Sequence, residues 1–464
     1  MSVKQRWVLV LTAIASLMVA LDVTVVSTAL STIRLHLSAS ITQLEWTVNA
    51  YALSFAVLLM TGAALGDRFG RRRVFVIGLA LFVAASSACA LSPSVGWLIA
   101  ARAVQGAGAA VITPTSLALL VEAFPAERRG QALGLFGAIT GLAVLGGPVV
   151  GGAVTQGLAW QWIFWLNVPI GVAAIPFVLR RMDESRGQRA VIDTPGLVLV
   201  TGAALGAVWG LVRGNAAGWS SLEVVGTLIA GAVFAALFAA WELRTREPML
   251  PMRLFRSRAF ASGNAVGFLM FASLFSAVFF MAQFLQVSLG QSPFHAGLRL
   301  IPWTGTVFIV SPIAGALVDR IGERALLVGG LLMQAAGFTW VALLARTGLP
   351  YSEMIAPLIL AGVGISSALP AVQNAVMSAV APTEIGKASG TFSTMRQLGG
   401  AFGLAIAVAV FSGAGSYASP IAFSDGFAPA IAVSAALSLC GALAGALVPA
   451  RQLTPRGAAL QAPA

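Results

Sequence analysis

The chain has 464 residues, of which 58% are apolar and 9% charged, whereas an ordinary soluble domain carries about 25% charged residues. Water cannot solvate such a composition, so a soluble enzyme is excluded and length counts membrane spans instead of domains. The net charge of +12 takes its meaning from where the basic residues fall.

Apolar segments of spanning length, about 17–25 residues, lie near 8–30, 44–66, 74–92, 96–121, 131–155, 162–179, 195–213, 221–241, 259–284, 295–318, 325–345, 352–376, 388–411 and 427–449. The first follows Lys4 and Arg6 but is too long for a signal peptide and carries Asp22, so it reads as a retained helix. Of the 28 basic residues, 22 fall in one alternate set of connections, which starts at Lys4 and Arg6 and includes Arg71 to Arg73, Arg180, Arg181, Arg253, Arg256 and Arg320. Only Arg34, Arg213, Arg299 and Arg346 fall in the other set, and Arg102 and Arg396 lie inside spans. By the positive-inside rule, both termini are expected in the cytoplasm, the span count is even, and the protein is multi-pass in the cell membrane. Topology thus explains the basic excess, and no nucleic-acid partner is needed.

Connections are short. The two longest cytoplasmic ones, near 180–194 and 242–258, bracket spans seven and eight. There is no GxxxxGK[ST], HExxH or CxxC pattern, and Cys89 and Cys440 sit in apolar runs as packing residues. No catalytic residues, metal ligands or bound cofactor are expected.

After span two comes Gly62-Ala-Ala-Leu-Gly66-Asp67-Arg68-Phe-Gly70-Arg71-Arg72-Arg73, and after span ten Gly315-Ala-Leu-Val-Asp319-Arg320-Ile-Gly322-Glu323-Arg324. This repeated turn resembles the loop signature of the major facilitator superfamily, whose fold has two six-helix halves related by a parallel repeat; Ala63 stands where the family usually has the leading glycine. The copies are eight spans apart, whereas six-plus-six requires six, so two extra helices lie between the halves. The expected class is an all-α integral membrane protein with the major facilitator fold, two six-helix bundles plus two additional transmembrane helices. Residues 1–180 would form the first bundle, 181–258 the accessory helices with their linkers, 259–450 the second bundle and 451–464 a short tail.

Further motifs resemble the fourteen-helix drug:proton antiporter subgroup: Leu21-Asp22-Val-Thr24 in span one, Arg102-Ala-Val-Gln105-Gly106 in span four, and Gly141 through Gly147-Pro148-Val-Val-Gly151-Gly152 in span five. Trp160-Gln161-Trp162 through Asn167-Val-Pro169, with Gln161 where Arg is common, and Arg396-Gln397-Leu-Gly399-Gly400 complete the pattern. The resemblance implies proton-coupled efflux of amphipathic, drug-like small molecules by alternating access, driven by the proton gradient, from a monomer in the bilayer. The alternative on the same fold is a proton-coupled importer or a metabolite exporter.

Among the acidic residues, Asp22 is the only one read well inside a span; it faces either a cavity and a partner or the outer interface. Arg102 enters span four at the depth where Asp22 leaves span one. The pair reads as a proton carrier and its tuning cation, with a static buried ion pair as the alternative. Gly137, Gly141, Gly147 and Gly151 form a small-residue stripe, and Pro148 favours a bend. The resemblance makes this helix, with Gly152, the seal between the halves. Asp67, Arg68, Arg71 and Glu122, with Asp319 and Arg320 in the second copy, are expected to latch the halves, or else to be ordinary loop charges. Arg396 and Gln397, together with Asp22, are candidates for the substrate cavity; the other role open to Arg396 is capping carbonyls at a kink. One intramembrane acid favours neutral or singly charged substrates over dications.

Overall fold

The structure is a computed structural model that describes residues 1–186, 193–246, 248–381 and 384–449; at 126, 127, 130, 131, 134, 138, 141, 144, 145 and 319 it describes the backbone alone. The tail at 451–464 lies outside the described residues. The helices are α1 (Val3–Leu37), α2 (Ile41–Phe69), α3 (Arg71–Ala90), α4 (Val95–Ala123), α5 (Ala126–Gly157), α6 (Trp162–Trp165), α7 (Asn167–Arg181), α8 (Thr194–Ala217) and α9 (Leu222–Glu242). After a short 3-10 turn follow α10 (Arg258–Val287), α11 (Pro293–Arg299), α12 (Ile301–Thr304), α13 (Thr306–Ile321), α14 (Glu323–Leu344), α15 (Tyr351–Ser378), α16 (Ile385–Ala414) and α17 (Pro420–Ala446).

Among the described residues, 13 segments are long and apolar enough to cross a bilayer; the 32-residue α5 adds the fifth span and gives fourteen. In lipid every backbone donor and acceptor must be satisfied inside its own segment, which is why the spans are helices. Several run past their apolar stretches because their starts are capped. Ser2 with Gln5 and Ser40 with Gln43 form reciprocal capping boxes on α1 and α2. Span six breaks between α6 and α7 because the Pro169 ring crowds the carbonyl four residues earlier, at Trp165, where α6 ends. Pro302 lies at the comparable break in span ten.

The repeated turns are one-residue reversals. Gly70, with φ 108°, joins α2 to α3, and Gly322, with φ 81°, joins α13 to α14; a side chain is strained at both. The first turn is also capped from outside. Glu184, beyond the end of α7, accepts from the Arg72 and Arg73 amides at 3.0 and 3.2 Å, placing a carboxylate at the positive end of α3. Lys4 pairs with Asp183, so the N-terminus lies on the same face as this turn, here called the basic face.

The cores show how the halves meet. Toward the opposite, far face a single apolar cluster joins Val25, Leu30 and Phe164 to Phe280, Trp303 and Phe411. Toward the basic face each half has its own cluster, one around Phe75 and Phe82 and another around Phe260 and Val372, and a further cluster joins the halves along α2 and α16 through Leu53, Val57, Leu398 and Ala401. The α8–α9 pair packs through α8 on both α2 and α16, with Trp46 and Trp209 rings 5.8 Å apart. Its far end is tied by Arg213 to Glu223 at 2.9 Å.

Both turn glycines pay the strain of a β-carbon at positive φ, about 1–2 kcal/mol, but a Cβ at Gly70 also falls 2.7 Å from the Glu184 carboxyl, whereas one at Gly322 meets nothing within 4 Å. Gly70→Ala is therefore expected to lower the melting temperature in detergent more than Gly322→Ala; equal losses would remove the Glu184 cap from the account.

Candidate functional site

Asp22 on α1 and Arg102 on α4 meet as predicted, 2% and 1% exposed. An Arg102 Nη1 donates to both Asp22 Oδ2 and Gln105 Oε1, the latter at 2.8 Å. Its Nε donates to the Thr47 carbonyl at 3.0 Å, and its guanidinium lies 4.3 Å from the Tyr51 ring centroid. The second carboxylate oxygen, Oδ1, accepts from Gln105 Nε2 at 2.8 Å and from Asn167 Nδ2 at 3.2 Å. Both amides also donate to Ser86 Oγ, at 2.8 and 3.4 Å. Five helices of one half thus converge on a single carboxylate, and its charge is compensated where hydrocarbon would make it costly. Asp22 does not reach the outer interface, and in this conformation it is enclosed instead of lining a cavity.

The sequence reading missed the partners. Gln105 stands three residues beyond Arg102, the spacing that puts two side chains on one helix face. Asn167 is the first residue of α7, delivered to the site by the Pro169 break. Glu45 was also missed. It was read as lying at a helix end, but α2 starts at Ile41, and Glu45 is fully buried with Asn49 Nδ2 donating to its Oε1 at 3.2 Å.

Arg396 has its Nε buried without a hydrogen-bond partner, and its guanidinium lies 5.6 Å from the Phe271 ring centroid. The Nε therefore caps no carbonyl. Gln397 beside it is buried. On the basic face, Arg71 bridges Asp67 and Glu122, each at 2.8 Å. Arg68 is not part of this cluster; its guanidinium rests over Phe69 at 5.3 Å. All three bridged side chains belong to one half, so parting the halves does not by itself separate them. In the second copy Arg320 is exposed, and the Asp319 side chain lies outside the described residues.

The α5 glycines do not act as one stripe. Cβ atoms at Gly147 and Gly151 would strike Thr24, Thr28 and Val25 of α1, within the same half, while one at Gly152 would strike Pro293 and Phe294 of the other half. Gly297 of α11 returns the contact against the Pro148 carbonyl, and a Cβ at Gly137 meets nothing within 4 Å. Gly141 lies outside the residues whose side-chain positions are described. The seam at the far face is completed by Gln286 Nε2 donating to the Thr28 carbonyl at 3.0 Å, the Phe294 amide donating to Gln156 Oε1 at 3.3 Å, and Arg34 4.2 Å from the Tyr417 ring centroid. Tyr417 in turn donates to Gln283.

The profile of the Major Facilitator Superfamily matches residues 12–404 and, again, 263–463. The chain is 34% identical over 398 residues to the tetracenomycin C resistance and export protein of Streptomyces glaucescens, covering 85% of this chain and 73% of that one. It is 36% identical over 403 residues to a methylenomycin A resistance protein of Streptomyces coelicolor, covering 85% and 84%, and 34% identical over 420 residues to a puromycin resistance protein of Streptomyces alboniger, covering 89% and 82%. Among solved structures, a bacterial homologue of the human lysosomal transporter Spinster superposes with a TM-score of 0.69 at 16% identity, covering 97% of each chain. A POT family transporter in complex with 5-aminolevulinic acid gives 0.70 at 13% identity, covering 94% of each.

Removing one partner of a buried ion pair strands the other charge, at a cost of about 3–5 kcal/mol. Arg102→Leu is therefore expected to destabilise the protein strongly, and adding Asp22→Asn should recover a large part of the loss. Purely additive melting temperatures across this double-mutant cycle would count against a coupled pair.

Proposed function

Because the chain belongs to the major facilitator superfamily, a family of transporters, we propose that it exports antibiotic-like amphipathic small molecules across the cytoplasmic membrane in exchange for protons. Three relatives that match most of the chain carry names of antibiotic resistance, one of them also of export. The observation that carries proton coupling is the enclosed Asp22 network, in which Arg102, Gln105 and Asn167 compensate a carboxylate that has no access to water in this conformation. A rearrangement of α1 against α4 alters all of these contacts together. That gives the two states different affinities for a proton, which coupling requires.

In this reading the basic face is cytoplasmic, as the placement of arginines supports. The shared core at the far face then closes the outer end, while toward the inner end the halves hold their own cores and touch through α2 and α16. Residues 1–180 and 259–450 act as the rocking bundles, and 181–258 supplies two peripheral helices. The chain works as a monomer with no cofactor beyond the proton gradient. Arg396 and the neighbouring Gln397 present a cation and an amide from the second half toward the substrate path. The Asp67–Arg71–Glu122 cluster braces α2, α3 and α4 so that the first bundle moves as a unit.

In everted vesicles, adding tetracenomycin C, methylenomycin A or puromycin is expected to release protons from the lumen for at least one compound. Asp22→Asn should abolish this release and uphill export while leaving substrate exchange without a gradient; coupled export by Asp22→Asn would sink the proton role of Asp22. At the outer seam, a cation–π contact is worth about 0.5–2 kcal/mol. Tyr417→Ala is accordingly expected to shift the population toward outward-open, read as faster labelling of a cysteine placed at Thr28. Unchanged labelling would show that the ring does not hold the gate.

A further inference from the structure

Glu45 presents a charge problem that the Asp22 network does not share. Its side chain is fully buried, and among the described residues Asn49 alone donates to it, while Glu45 Oε2 and Asn49 Oδ1 are buried acceptors with no donor. A carboxylate buried without a counterion carries a desolvation penalty that favours its neutral form. The charged groups on the helices packed against α2 are committed, exposed or distant: on α1, Lys4 and Arg6 are at the basic end and His36 is exposed at the far end, and Glu122 of α4 pairs with Arg71. On α4, Arg102 serves Asp22, Gln105 and the Thr47 carbonyl, and on α1, Asp22 is held in that network while Arg34 lies over Tyr417. On α8, Arg213 pairs with Glu223; on α16, Arg396 lies over Phe271 and Lys387 is near the basic face; on α3, Arg71, Arg72 and Arg73 are on the basic face and Cys89 lies against Gln105. Tyr51, on α2 itself, faces Arg102.

One proton resolves the charge problem. Placed on Oε2, it removes the buried charge and supplies a donor beside Asn49, whose Nδ2 continues to donate to Oε1. Position gives this proton a use. Residues 45, 49, 56 and 60 lie along one stripe of α2, and the stripe meets the other half: the Ala56 carbonyl accepts from Thr394 at 3.5 Å, and a Cβ at Gly390 would strike Met60. The antiparallel register set by these contacts carries Glu45 up to the region of Ala401 and Ala405, which share a cluster with Leu53 and Val57. Glu45 is therefore at the seam between the halves, on its far-face side.

We propose that Glu45 is a second proton-binding carboxyl, held neutral against Asn49 while the far end is closed and opened to proton exchange when α2 and α16 part there. On opening, water reaches Oε2 and the proton can leave to it or return from it; on closing, burial without a counterion requires the proton to be aboard. The role in transport rests on the exporter reading above, whereas the neutral state rests on this geometry alone. The number of protons moved per substrate is then set by two carboxyls of opposite character, one stabilised by a guanidinium and one by an amide.

The test uses purified full-length protein in the absence of substrate, followed by everted vesicles. At neutral pH the infrared difference spectrum between light and heavy water is expected to carry, beside any band from other buried acids such as Glu242, a protonated-carboxyl component that is lost in Glu45→Gln and kept in Asp22→Asn. Glu45→Gln should fold with unchanged melting temperature, because its amide is neutral and also supplies a donor beside Asn49. A spectrum unchanged by Glu45→Gln would overturn the neutral state. With whichever of the three antibiotics the wild type exports, protons released per molecule should fall by one in Glu45→Gln; an unchanged count would leave a structural acid and overturn the transport role. Absence of substrate-linked proton release in the wild type would instead defeat the coupled-export reading, and the infrared result would still decide the state of Glu45.

Discussion

The Asp22–Arg102 ion pair is the constraint around which the first half is arranged. A membrane interior offers no water to a charge, so a carboxylate placed there has to be met by protein on every side. The chain meets it with four helices besides its own. Arg102 and Gln105 come from α4, the Thr47 carbonyl and the Tyr51 ring from α2, Ser86 from α3 and Asn167 from α7. The helix break before Asn167 lies beside the same site, where α7 begins with the residue whose side-chain amide donates to Asp22.

Such a network is costly to assemble and rigid once assembled, and this separates two kinds of contact in the protein. Inside the first half, the ion pair, the Gly62, Gly106 and Gly108 contacts and the Arg71 bridge fasten α1 to α4 into one unit. Between the halves, the far-face contacts are of a different type: glycine against backbone, an amide to a carbonyl, a guanidinium over a ring. None of these strands a charge when it opens. When that face parts, the cost is the apolar surface exposed from the shared cluster and no stranded charge, whereas a seam built on buried ion pairs would add one.

How much of this was legible in the sequence follows from the range of each interaction. The spans were legible because hydropathy is local, and the division of the chain because the Gly70 and Gly322 turns carry the same residues for the same backbone reason. Asp22 and Arg102 were legible as a pair because a charge inside a span has few places to go. What was not legible depended on packing between distant segments. Nothing near Gly70 announces that Glu184 will cap α3. Nothing in the run of α5 glycines shows that Gly152 turns toward α11 while Gly147 and Gly151 turn toward α1. The latch pattern is likewise local, so it named Arg68 along with Arg71, although only Arg71 has helices on both sides to bridge.

Glu45 shows the same limit at the point where it matters most for chemistry. Five residues from the start of α2, a glutamate looks interfacial, because most acids at that depth reach headgroups or water. Its burial depends on packing from distant segments: α16, more than three hundred residues later, meets the same stripe of α2 at Ala56 and Met60. The amide at Asn49, one helical turn on, is the single local sign, since a polar pair at that spacing within an apolar helix needs a reason. The expected preference for neutral or singly charged substrates was drawn from one buried acid. If Glu45 exchanges a proton as proposed, the charge that a substrate must balance depends on which of Asp22 and Glu45 has released its proton, and charge selectivity then belongs to a step of the cycle and not to the cavity alone.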